Sequence, residues 1–216
     1  MALSTAEPYP ARLEIDYPEQ LDRVSTALRI FWAIPILIIA ALISAVGSST
    51  AATESGETAT QAAGGIAGGL FLATVLMILF RQVYPRWWFN FALELERFNA
   101  RVGAYLALLT DTYPSTTDEQ AVHLEVDFPE NVPQDLNRWL PLVKWFLAIP
   151  HYIVLFFLSI AAAVVIIIAW FAILFTGQYP RGMFDFVVGV GRWGLRVQAY
   201  AFLLVTDRYP PFSLQP

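Results

Sequence analysis

Apolar positions fall in three patterns along this chain. Three stretches are continuous and uncharged: Ile30 to Val46, about Ala62 to Phe80, and Trp145 to Gln178. A helix that crosses a bilayer needs about 20 apolar residues, so each of the first two fits one crossing. The third would reach about 50 Å as a single helix, against a hydrocarbon core of about 30 Å, so it is either one long tilted helix or a tight hairpin of two short spans. Residues 86–109 and 181–205 follow a second pattern, apolar over most of the helix circumference with one polar stripe. In the first, Asn90, Glu94, Arg97 and Arg101 lie at helical steps on one face; in the second, Asp185, Arg192 and Arg196 do so. The third pattern has period two. Leu13–Tyr17 and Leu124–Phe128 alternate apolar with acidic residues before Pro18 and Pro129, which predicts two short strands. Paired into a ribbon, they would turn Glu14, Asp16, Glu125 and Asp127 toward the arginine stripes; unpaired, they would be solvated linkers.

The patterns recur in order. Leu13-Glu14-Ile15-Asp16-Tyr17-Pro18 returns as Leu124-Glu125-Val126-Asp127-Phe128-Pro129, and Arg29 with Ile34-Pro35 returns as Lys144 with Ile149-Pro150. Tyr84-Pro85-Arg86 returns as Tyr179-Pro180-Arg181, Arg97-x-x-x-Arg101 as Arg192-x-x-x-Arg196, and Thr110-Asp111 as Thr206-Asp207. This reads as an internal duplication, with one unit over 1–119 and the other over 120–216. Ile149 follows Ile34 by 115 residues, but Tyr179 follows Tyr84 by 95, so the first unit holds extra residues between these marks. They are assigned to a polar external loop over 47–65. Without that loop the second unit is expected to form a tight hairpin, two short spans at about 142–159 and 162–175 that turn near Ser159–Ala163.

Composition strengthens the membrane reading. The chain is 57 % hydrophobic and 14 % charged, far from the balance of a soluble domain. All 13 Lys and Arg residues lie outside the expected hairpins, while the 47–65 loop carries Glu54 and Glu57 and no cation. Two hairpins would put every cation on one side, which the positive-inside rule makes cytoplasmic. The expectation is an all-α, multi-pass inner-membrane protein: two tandem hairpin repeats giving four transmembrane helices, two interfacial amphipathic helices, short cytoplasmic strands and both termini inside. Fully spanning helices at 86–109 and 181–205 would instead give six spans. Met1–Tyr9 has no basic region, so a signal peptide is not expected.

Candidate chemistry is sparse. Net charge is −5 with no basic run, which argues against a nucleic-acid partner, and there is no cysteine. No metal site or cofactor is expected. Arg97, Arg101, Arg192 and Arg196 could share an anionic phospholipid headgroup through paired guanidinium groups, or could be structural, with Arg97 on Glu94 and the others on strand carboxylates. Pro35 and Pro150 should kink their helices. His151 is alone and reads as a core residue, and Trp170 as a residue packed between helices. Gly64-x-x-x-Gly68 and Gly65-x-x-x-Gly69 permit close helix packing or simply lead from loop into helix. Asp111 and Asp207 are the carboxylates an enzyme would use, with turn and capping roles as the ordinary alternative.

Ile149–Val154, Ala169–Pro180, Arg192-Trp193, Arg196-Val197 and Thr206-Asp207-Arg208-Tyr209-Pro210 resemble a bacterial membrane-protein family known only as domain of unknown function 4389, common in actinobacteria. The resemblance covers nearly the whole second unit. The first unit diverges, with Ile36 where the second has His151. It implies a bacterial multi-pass membrane protein and brings no activity. The expected function is therefore that of a non-enzymatic accessory or scaffold protein engaging lipid headgroups, a membrane-protein partner or a second copy. The alternative is a small transporter or channel for an apolar or lipidic solute, and a lipid-modifying enzyme is least supported.

Overall fold

A computed structural model describes residues 8–44, 47–52, 58–63, 66–116, 118 and 120–216. Its elements in order are β1 (Ala11–Ile15), α1 (Arg23–Ser44), β2 (Gly47–Ala52), β3 (Thr58–Ala63), α2 (Ile66–Leu76, continued by a π-helical turn over Met77–Arg81), α3 (Arg86–Leu106), β4 (Val122–Val126), α4 (Val132–Asp135), α5 (Lys144–Leu147), α6 (Ile149–Thr176) and α7 (Arg181–Ala201). Two helical segments, Arg23–Ala41 and Ile149–Thr176, are long and apolar enough to cross a membrane.

The expected hairpin in the second half is corrected. Residues 149–176 form one uninterrupted helix of 28 residues, about 42 Å long. Nothing in Ser159-Ile160-Ala161-Ala162-Ala163 breaks a helix, since alanine is the best helix former. The Ser159 hydroxyl donates back to the Phe156 carbonyl at 2.7 Å instead of opening a turn. A tight turn in an apolar layer would also strand backbone polar groups. The helix ends at Gly177, whose φ of +77° closes a bond from its N–H to the Ile173 carbonyl. Pro150 does not kink a span: it occupies the first turn of α6, where a missing N–H costs nothing. Pro35 lies inside α1, which continues past it to Ser44. Within the 47–65 connection, β2 and β3 pair antiparallel with Gly47 opposite Ala63. Glu54 and Glu57 lie outside the described residues.

The predicted strands pair, two residues earlier than expected. β1 and β4 are antiparallel, with Leu13 opposite Leu124. Ala11, Leu13, Val122, Leu124 and Val126 are buried, so the period-two pattern puts the other face outward. Glu14, Asp16, Glu125 and Asp127 therefore point away from the helices, which corrects the expectation that they meet the arginine stripes. Arg12 crosses the outer face and donates to Asp127 at 2.7 Å.

Beneath the ribbon lie α3 and α7. Both start after a Tyr-Pro step: the N–H groups of Trp88 and Phe89 bond the Pro85 carbonyl, and those of Met183 and Phe184 bond the Pro180 carbonyl. β1 packs on α7, and β4 on α3. The opposite faces of α3 and α7 carry the third layer. Ile36 of α1 packs with Phe98 and Val102 of α3. Ala148, just before α6, and Tyr152 and Leu155 on it meet Trp193 and Val197 of α7. Trp170 reaches from α6 to α1 and donates to the Thr26 carbonyl at 3.1 Å, as its position inside the apolar run implied. The outer side of this layer is exposed and apolar, with Phe31, Ile34 and Ile38 on α1 and Ile153, Phe156, Phe157, Val164 and Phe171 on α6.

Candidate functional site

The arginine stripes face the ribbon and the tail, and apart from one contact of Arg97 to a carboxylate the hydrogen bonds they donate go to backbone carbonyls. Arg97 Nε donates to Leu124 at 3.1 Å, and its Nη1 to Glu94 at 2.7 Å. Arg101 donates to Ser115 at 3.1 Å. Arg192 reaches Leu13 and Leu214, each at 3.1 Å; Arg196 reaches Ser213 at 3.3 Å and Gln215 at 2.7 Å. Arg101 and Arg196 are buried. The strand carboxylates proposed as partners for three of these arginines are on the far side of the ribbon. Gly189, where the first unit has Glu94, is explained by the tail: a Cβ there would come within 3.0 Å of Leu214.

Asp111 and Asp207 anchor the chain after α3 and α7. Leu108 and Leu204, held left-handed at φ 64° and 59°, turn the backbone after each helix. Arg29, 3 % exposed, then pairs with Asp111 and donates to the carbonyls of Tyr105 and Thr110, both at 2.8 Å. Lys144, fully buried, meets Asp207 and the Thr206 carbonyl, both at 2.7 Å. Burial lowers the Lys144 pKa, and the Asp207 contact opposes that shift. Each Asp also accepts a backbone N–H, from Asp22 at 2.6 Å and from Asn137 at 2.5 Å. These carboxylates are occupied in holding helix ends. His151 is fully buried; its Nδ1 accepts from Trp193 Nε1 at 3.1 Å, and its ring stacks on Phe212. Among the described residues no three His, Asp or Glu stand together to hold a metal ion. Gly64 and Gly65 lie outside the described residues, and a Cβ at Gly68 or Gly69 would meet nothing within 4 Å.

The arrangement with open chemistry lies elsewhere. A cavity of about 440 Å³ is walled by α2 and α6, with α3 and α7 as its floor. A second, of about 470 Å³, lies between α3, α6, α7 and the ribbon. Both are lined by Glu96, Gly194 and Gln198. Gln198 Nε2 donates to Glu96 Oε1 at 2.7 Å. Burial pushes the Glu96 carboxyl up to about 7. Tyr152 lines the first cavity, and its buried hydroxyl has no hydrogen-bond partner. Glu96 was not singled out from sequence, although it stands one residue off the stripe that contains Arg97, on the apolar side of the helix. An acid on that side was the available signal.

No curated protein and no solved structure matches the chain. Residues 139–213 match the family described as Domain of unknown function (DUF4389), a segment that runs from before α5 through the tail held by Arg196 and contains Lys144, His151 and Asp207.

Proposed function

We propose that this chain is a non-enzymatic accessory or scaffold protein that lies in one leaflet of the bacterial inner membrane and presents its charged ribbon to the cytoplasm. The observation that carries this reading is the position of the ribbon relative to α6. Arg192 of α7 bonds the Leu13 carbonyl of β1, while Gly194 and Leu195 of the same helix line a cavity with Ala162 and Ile166 of α6. The ribbon is thus one helix away from the middle of α6, about 20 Å by ordinary layer spacings. Were α6 upright, Arg12, Glu14, Glu125 and Asp127 would be level with the bilayer centre, where each charge costs about 2.5–3.5 kcal/mol on the insertion scale. With α6 lying in the membrane plane, its exposed apolar side enters the acyl region and the ribbon stays in water.

This placement also accounts for the cations. Arg138 and Lys144 precede α6; Arg181 follows it, and Arg23 is beside Gly177 at its far end. An upright rod would separate these groups across the bilayer, and a flat one keeps them all on the cytoplasmic side. Tyr9 donates to the Arg208 carbonyl at 3.1 Å, which supports a common side for both ends of the chain. The pairs Arg29–Asp111 and Lys144–Asp207 support a duplicated unit in which α1 and α2 together take against α3 the place that α6 takes against α7.

The test is side-specific cysteine labelling, made simple by the absence of native cysteine. Gln134→Cys, Gln178→Cys and Glu125→Cys are each probed with an impermeant thiol reagent on intact cells and inverted vesicles. All three should react only in inverted vesicles. Reaction of Gln134→Cys and Gln178→Cys from opposite sides would establish a crossing α6, refute the flat placement and return a transport path between the helices to consideration.

A further inference from the structure

We propose that the two cavities meeting at Glu96 and Gln198 bind one single-chain lipid whose head is an uncharged oxygen group, such as a protonated fatty acid. The first observation is the space itself. A cavity of about 440 Å³ exceeds the ~150 Å³ apolar hole that suffices for benzene, and a second of similar size abuts it. The second observation is chemical. Leu70, Phe71, Leu155 and Phe202 line the first cavity, while Ala162 and Ile166 line the second. No Lys, Arg or His is among the described residues lining either, so nothing there would balance a phosphate or an ionised carboxylate. The polar group common to both is the Glu96–Gln198 pair, bonded at 2.7 Å; Asn99 also lines the second, while the Thr74, Tyr84 and Ser159 hydroxyls on the walls donate to backbone carbonyls. A carboxyl–amide pair can donate to and accept from one neutral oxygen head.

The third observation concerns glycine. Gly194 is inside α7 and Gly103 inside α3, positions where glycine weakens a helix. Gly189 is required by the close approach of Leu214, but a Cβ at Gly103 or Gly194 would meet nothing within 4 Å. Gly103 is exposed, so open surroundings there are ordinary, but at half-buried Gly194 the packing gives no reason for glycine. Both line the second cavity, and Gly194 the first as well. A ligand in the cavities would occupy the volume that a side chain there would take. The walls of the first cavity, α2 and α6, are exposed and apolar on their outer sides, so the site is continuous with the layer assigned to lipid. The route of entry rests on the flat placement proposed above, whereas binding by the purified protein does not.

The experiment is native mass spectrometry of the full chain in detergent, titrated with palmitic acid and separately with hexadecane. One palmitic acid per chain should bind saturably, with hexadecane at least tenfold weaker. Gly194→Leu should lower retention of palmitic acid at least tenfold. Gly194→Ala should weaken binding several-fold while raising the lipid-free melting midpoint by roughly 2–4 °C, so it decides the matter if the leucine variant does not fold. Unsaturable binding, equal retention of both probes, or retention unaffected by Gly194→Ala would overturn the site, whatever the cysteine labelling shows.

Discussion

Glu96→Gln removes the charge from a buried carboxyl while keeping its shape and an oxygen to accept from Gln198. Its effect should depend on pH in a defined way. In the folded protein the carboxyl holds its proton up to about pH 7, against an ordinary value of 4.5. Below pH 4.5 the group is protonated in both folded and unfolded chains and contributes nothing to the pH dependence. Between 4.5 and 7 the unfolded chain releases the proton while the folded one keeps it, so the native protein loses stability as pH rises. Above 7 the loss levels off. A rise from 4.5 to about 7 amounts to about 3 kcal/mol at 1.36 kcal/mol per unit. Relative to the native protein, Glu96→Gln should therefore be near neutral at pH 4 and more stable by about 3 kcal/mol at pH 8. For a chain of this size that is roughly 6–12 °C in melting midpoint. Melting native and variant protein in one detergent at pH 4, 6 and 8 isolates the group, because the other titrations cancel in the difference. A difference that does not change with pH would refute the reasoning and place Glu96 in contact with water or an unrecognised cation.

Two further outcomes follow from the ion-paired helix end and from the continuity of α6. Asp207→Asn leaves Lys144 buried without its counter-charge and should cost about 3–5 kcal/mol, whereas Lys144→Met combined with Asp207→Leu should recover most of it; thermal melting of the three proteins checks this. Ser159→Pro should destabilise by about 3 kcal/mol or more because it falls inside the helix, while a site in a turn would accept it; the same melts, with circular dichroism for helix content, decide.

The parts of the fold that were legible in the sequence are those set by local chemistry. Period two gave the ribbon, because Leu13 and Leu124 need one buried face whatever lies beneath it. The Tyr-Pro-Arg steps marked the starts of α3 and α7, because proline suits the entry to a helix. For residues 142–178 the repeat offset and the one-sided placement of the cations favour a hairpin over one long helix, whereas helix propensity at Ser159–Ala163, taken alone, points to the continuity that the structure has. The orientation of Glu14 and Glu125 followed from the alternation but was set aside for charge attraction, which the carbonyls around Arg97 and Arg192 satisfy instead. Pairs such as Arg29–Asp111 join residues far apart in the chain, and only the tertiary fold brings them together. Glu96 was hidden beside a stronger signal, since a charge next to Arg97 reads as part of its stripe until its neighbours in space are known.

The pairing of β1 with β4 has a temporal consequence. Ala11 finds its partner at Val126, so β1 leaves the ribosome with no strand to bond. At about 5–20 residues per second, the intervening stretch takes several seconds or more to synthesise. Through that interval the strand's backbone donors and acceptors are open to any other extended segment, and its charged side chains Arg12 and Glu14 are what discourage such pairing. Ribbon closure is therefore a late event in biogenesis, and release of the nascent chain before β4 emerges would leave a species prone to aggregate.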